Sequence, residues 1–201
     1  MTDRHQTGSR DLPTVVEQAL QAGVRAVQLR EKDLTTRDLY DVAGMLLAVT
    51  RKAGAVLLIN DRVDVAMALS ADGVHLTRRS LPPKEARALL GPERLLGISC
   101  HTLAEVREAE DGNVDFVVLG PIFDTPSKAG FGPPLTTSIL RLVRATTPLP
   151  ILAIGGIHAV RIPEVMAAGA DGVSVISAVM AAADPGAAAA ELLAAVAASR
   201  T

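Results

Sequence analysis

The sequence predicts an α/β fold, a single small parallel (βα)8 TIM barrel over residues 1–201. Three observations carry this expectation. Short apolar runs alternate with amphipathic helical patterns along the chain, as in a parallel sheet with helical crossovers. Hydrophobic residues make up 49% and aromatic residues only 2%, and such a core of aliphatic side chains suits the packed layers inside a barrel. Near the C-terminus, Ile154-Gly155-Gly156-Ile157 and Val175-Ile176-Ser177-Ala178 put bare glycine backbone after one strand and a small residue at a helix start after the next. That pairing is the usual phosphate site of such barrels.

The elements follow in order. Asp11, Pro13, Val15, Val16, Ala19 and Leu20 read as a capped amphipathic helix ending at Gly23. Ala26-Val27-Gln28-Leu29 is a strand, residues 36–51 a helix stopped at Gly54, and Val56-Leu57-Leu58-Ile59 a strand apolar enough to be buried on both faces. Helix–strand pairs then repeat. The later strands centre on Val74-His75-Leu76, Leu96-Gly97-Ile98, Phe116-Val117-Val118-Leu119, Ile151-Leu152-Ala153-Ile154 and Val173-Ser174-Val175-Ile176. An alanine-rich helix from Pro185 closes the chain. Seven strands are legible, one short of a barrel. The missing one belongs before Asp11, so strand one is expected to be truncated, with Met1-Thr2-Asp3 as its end. Ala71-Asp72-Gly73-Val74 recurs as Ala170-Asp171-Gly172-Val173, about half the chain later. This is either an internal echo of the barrel or a common turn used twice.

Composition excludes several classes. A net charge of −2 supplies no basic field for nucleic acid. The apolar runs are short and broken by charge, so no membrane span and no secretory leader is expected. The one cysteine, Cys100, allows no internal disulfide, and a reducing cytoplasmic setting is expected.

The candidate functional residues lie at the strand C-terminal ends, where barrels build their sites. Alternation puts Gln28, Arg30 and Lys32 on one side, as a cradle for a diphosphate, or else as a solvated strand end paired with Glu31. Asn60-Asp61 suits an amide contact and a Mg2+ carboxylate, and equally an N-cap. His75 and His101 are rim histidines, open to an acid/base role or a structural one. The long stretch from Gly120 to Pro134 holds hydroxyls, Lys128 and glycines, and reads as a lid over an anion.

Together these motifs resemble the thiamine-phosphate synthase family. The segments are Gln28–Lys32, Asn60-Asp61, Ser99-x-His101, Gly120-Pro121-x-Phe123-x-Thr125-Pro126-Ser127-Lys128, Ile154–Ile157 and Val175-Ile176-Ser177. The resemblance spans residues 2–183. It implies a transferase of thiamine biosynthesis, which joins hydroxymethylpyrimidine diphosphate to thiazole phosphate and releases diphosphate. It implies that Gln28, Arg30, Lys32, Asn60, Ser99 and Lys128 meet the pyrimidine diphosphate, and that Asp61 binds Mg2+. It places the thiazole phosphate on Thr125, Ser127, Gly156, Ile176 and Ser177, with Pro126 among the substrate-binding residues. The departure from the family is Ser80, which stands where a second acidic Mg2+ ligand is usual. Arg78 and Arg79 precede it, and one of them is a candidate clamp on the diphosphate. The related thiazole-phosphate tautomerases and a non-catalytic binder of thiamine precursors are the alternatives. Pro121 stands where some tautomerases carry a histidine. A homodimer is compatible with this reading.

Overall fold

The computed structural model describes residues 1–125 and 133–200. The strands are β1 (Ala26–Leu29), β2 (Val56–Asn60), β3 (Gly73–Leu76), β4 (Leu95–Cys100), β5 (Phe116–Leu119), β6 (Ile151–Ile154) and β7 (Gly172–Ser174). They form one sheet in sequence order, every neighbouring pair parallel. Between them run α1 (Leu12–Gln21), α2 (Thr36–Lys52), α3 (Val63–Leu69), α4 (Pro83–Leu90), α5 (Leu103–Asp111), α6 (Thr136–Arg144) and α7 (Ile162–Ala167), with α8 (Ser177–Met180) and α9 (Pro185–Ala198) after β7. Asp11 caps α1 through the N–H of Thr14, as the sequence pattern suggests, and Asp184 caps α9 through that of Ala187.

The expected eight strands are seven among the described residues, in a barrel-like arrangement. No ladder joins β1 to β7. Two residues bridge them instead: the Met1 amine donates to Val175 O at 3.2 Å, and Thr2 N–H donates to Gln28 O at 2.9 Å. Glu31 anchors this bridge. Its carboxylate, 1% exposed, accepts from Thr2 Oγ1 at 2.6 Å and from the Arg4 backbone and guanidinium at 3.1 Å. Thr2 Oγ1 accepts in turn from Arg30 N–H at 2.9 Å. Below the bridge lies an apolar cavity of about 570 Å³, lined by Val16 and Ala19 of α1, Leu192 and Val196 of α9, and the facing edges of β1 and β7.

Strand alternation sorts the side chains into two layers. Leu29, Leu57, Ile59, Val74, Leu76, Leu96, Val117 and Leu119 are all buried in the main hydrophobic core. Gln28, Leu58, His75, Val118 and Leu152 line the interior cavity instead. The sequence echo has a physical basis. Asp72 at the entry to β3 accepts from Leu57 N–H at 2.7 Å, and Asp171 at the entry to β7 accepts from Ile151 N–H at 2.8 Å. Asp115 does the same for Leu96 N–H at 2.6 Å. Each carboxylate therefore ties its own strand entry to the neighbouring strand. The shared Asp-Gly turn is a repeated fastening that appears a third time with Phe in place of Gly.

Candidate active site

The C-terminal ends of the strands surround a second cavity of about 310 Å³. Its lining brings together Arg30, Ser99, Thr125, Gly156, Ile176 and Ser177, six of the residues singled out in the sequence. They come from the ends of β1, β4, β5, β6 and β7 and meet only because the sheet curls.

Glycine chemistry shapes one wall. Gly156 has φ +62°, and a Cβ there would stand 2.5 Å from Asp124 O, so the turn requires glycine. Among the described residues, the backbone N–H groups of Gly156 and Ser177 donate to no protein acceptor. Two free amides on a cavity wall are suited to an anion.

Gln28 and Asn60 form a pair beside this cavity, Gln28 Nε2 donating to Asn60 Oδ1 at 3.1 Å. Lys32, Asp61 and Ser80 do not line it; they follow β1, β2 and β3 on the adjoining rim. Asp61 has φ +67° and its N–H donates to His75 O at 2.9 Å. It does not serve as the N-cap of α3; Arg62 holds that position and makes no side-chain cap bond. Among the described residues its carboxylate makes no hydrogen bond or ion pair. Ser80 Oγ is 2.8 Å from Thr77 N and accepts from it, so the hydroxyl closes a turn. Arg78 is paired with Glu105 at 2.9 Å. A diphosphate would have to compete with that carboxylate for the exposed Arg78 guanidinium. Pro126, Ser127 and Lys128, with most of the expected lid, lie outside the described residues.

The histidines divide. His75 is buried, with Nε2 2.9 Å from Ser99 Oγ. Burial pushes its pKa down to about 3, aided by the N-terminal amine and Arg30, so it stays neutral and does not act as a general acid near pH 7. Its ring packs 5.8 Å from that of Phe116. Gly97 leaves room for Phe116, since a Cβ there would stand 2.2 Å from the ring. His101 is bound through Nδ1 to Gly120 O, and its N–H donates to Glu105 at 2.6 Å. Burial raises the Cys100 thiol to about 12, which leaves it unreactive.

The sequence profile described as thiamine monophosphate synthase matches residues 1–179. The chain belongs to the thiamine monophosphate synthase family. A relative from Geobacter sulfurreducens is 50% identical over 185 residues, 92% of this chain and 87% of that protein. A protein of Moorella thermoacetica named thiamine-phosphate synthase is 47% identical, over 92% of this chain and 88% of its own length. Among solved structures, a thiamine phosphate pyrophosphorylase from Pyrococcus furiosus superposes with a TM-score of 0.91 at 34% identity, over 100% of this chain and 95% of that one. Among the described residues, no helix is long and apolar enough to cross a membrane.

Proposed function

We propose that this family member is a thiamine-phosphate synthase, a transferase that joins hydroxymethylpyrimidine diphosphate to thiazole phosphate. One observation carries the reading: Arg30 and Ser99 share a cavity with Thr125 and the free amides of Gly156 and Ser177. A cation and a hydroxyl thus face an anion site across a space of small-molecule size.

In the reaction, the C–O bond to diphosphate breaks and diphosphate leaves with the electron pair. The thiazole nitrogen lone pair then forms the new C–N bond. No proton need move for this bond to form, which agrees with a neutral, buried His75. Gln28 and Asn60 orient the pyrimidine. Arg30, Lys32 and Lys128 offset the charge that develops on the leaving diphosphate. Thr125, Pro126, Ser127, Gly156, Ile176 and Ser177 hold the thiazole phosphate. The intact set of diphosphate-side residues favours the synthase over a tautomerase or a non-catalytic binder.

Mg2+ usually takes one or two carboxylates together with substrate phosphate oxygens. Asp61, whose carboxylate makes no hydrogen bond or ion pair among the described residues, fits that donor set with one carboxylate. Ser80, spent on Thr77, does not add a second. Bound there, the ion would neutralise charge on the departing diphosphate.

The fold reading extends in the same way: Met1 and Thr2 act as the end of a first stave between β1 and β7, making one eight-staved barrel domain. We place its work in the cytoplasm.

The test is direct. Purified protein with both substrates, with and without Mg2+, should yield thiamine phosphate in a metal-dependent reaction. Asp61→Asn should remove the metal dependence together with most of the rate. A folded protein that forms no product would overturn the reading.

A further inference from the structure

Arg161 lies outside every motif considered so far. It ends the 3-10 turn Ala159–Arg161 after β6 and occupies the N-cap position of α7, where it makes no side-chain cap bond. A cation at a helix N-terminus is poorly placed with respect to the helix dipole, so capping does not account for it.

Its guanidinium is held in place from two sides. Nη1 donates to Gly156 O at 2.8 Å, and the group lies 4.4 Å from the Phe123 ring centroid. Half-buried, it lines the 310 Å³ cavity together with Gly156, Ile176 and Ser177. Arg4, Arg62, Arg78, Arg87 and Arg144 each stand within 3.1 Å of a carboxylate; of the arginines that do not, Arg30 and Arg161 line this cavity. Arg161 has no such partner among the described residues. Glu164, close in sequence, accepts from Thr137 instead. Asp124 lines the same cavity and makes no ion pair with Arg161.

The remaining guanidinium N–H groups and the amides of Gly156 and Ser177 are therefore unspent donors on one wall. A partly desolvated cation without a counter-ion, next to amides without acceptors, calls for a ligand that is both anionic and rich in acceptors. A phosphate monoester meets both demands. We propose that Arg161 is a phosphate-binding residue of this site and adds selectivity for the dianion. This deepens the synthase reading, whose thiazole phosphate it takes as the natural ligand.

The experiment is calorimetric titration with inorganic phosphate over a series of NaCl concentrations, on the parent, Arg161→Gln and Arg161→Lys, with circular dichroism to check folding. Arg161→Gln should weaken phosphate binding by about tenfold or more at low salt and make it less salt-dependent, because a screened charge has been removed. Arg161→Lys should lose less affinity and keep the salt dependence. Parent-like affinity in Arg161→Gln would overturn the proposal. So would a loss of affinity with unchanged salt dependence, which would mean that the arginine only props Gly156. A parent that binds no phosphate would overturn it as well. Product formation by the parent is scored separately. An inactive parent whose phosphate binding depends on Arg161 overturns the synthase reading alone. An active parent with parent-like affinity in Arg161→Gln overturns this proposal alone.

Discussion

His75 and Ser99 meet inside the barrel, Nε2 to Oγ, at 2.9 Å across the paired strands β3 and β4. The histidine is 1% exposed, so its ring takes the serine hydroxyl rather than bulk water as its partner. Ser99 also lines the site cavity. The bond therefore sets the direction in which the serine hydroxyl offers its proton or lone pair.

Replacing that bond should slow the reaction without changing how the thiazole side binds. His75→Phe should lower kcat about tenfold, the value of one buried hydrogen bond, with KM for thiazole phosphate unchanged. In a Ser99→Ala background the same change should cost nothing further. Steady-state kinetics on the four proteins of this cycle provide the check, and additive losses would show that His75 acts by another route.

The same residue should make the fold acid-sensitive. Its folded pKa of about 3 lies below the unfolded value of 6.5, so below pH 6.5 the unfolded chain binds more protons than the folded one. The stabilisation is whole above pH 6.5 and is lost as pH falls toward 3. By pH 5 the loss attributable to His75 is about 2 kcal/mol. Denaturant unfolding at pH 7 and pH 5 should show this difference, and His75→Gln should flatten it.

Glu31 should prove to be the anchor of the N-terminal segment. Glu31→Ala leaves Thr2 Oγ1 and the Arg4 backbone N–H without their acceptor and should cost roughly 2–3 kcal/mol. Glu31→Gln, which keeps an acceptor oxygen, should cost less. Hydrogen exchange should speed up at residues 2–6 and at Arg30, whose N–H rests on Thr2. Unchanged exchange there would disprove the anchoring.

Two glycines of like backbone should behave differently. Gly156→Ala places a Cβ 2.5 Å from Asp124 O at φ +62°; it should destabilise the protein by about 2 kcal/mol or more and abolish phosphate binding. Gly8→Ala, at φ +67° with nothing within 4 Å, should cost about 1 kcal/mol and leave phosphate binding as it was. Thermal melts and phosphate titrations separate the two.

The strands were legible because runs such as Leu57-Leu58-Ile59 are apolar on both faces, which few structures other than a covered parallel strand allow. That Gly156 and Ser177 would share a cavity wall was legible because glycines after one strand and a small residue opening a helix after the next leave a mark in the sequence. Arg161 was not. It falls where a helix opens, and an arginine there looks like a solvent-facing charge until Phe123 and Gly156 are folded against it. Glu31 was read only as a salt-bridge partner for the strand end, because its real partners, Thr2 and Arg4, come from a segment far away in sequence. The expected eighth strand rested on counting alone, and the described residues form seven; Met1-Thr2 spans the gap as two hydrogen-bonded residues, too short a segment to carry a periodicity.

The cavity under the Met1–Thr2 bridge has a mechanical consequence. Poorly filled space inside a protein is what unfolding under pressure eliminates, and this apolar cavity, partly open to its surroundings, lies along a seam that no ladder closes among the described residues. The sheet is in this sense a split ring, clasped at its rim by Met1 and Thr2. Hydrostatic pressure should open it from the seam inward, loosening α1 and α9 while the consecutive ladders from β2 to β6 still hold.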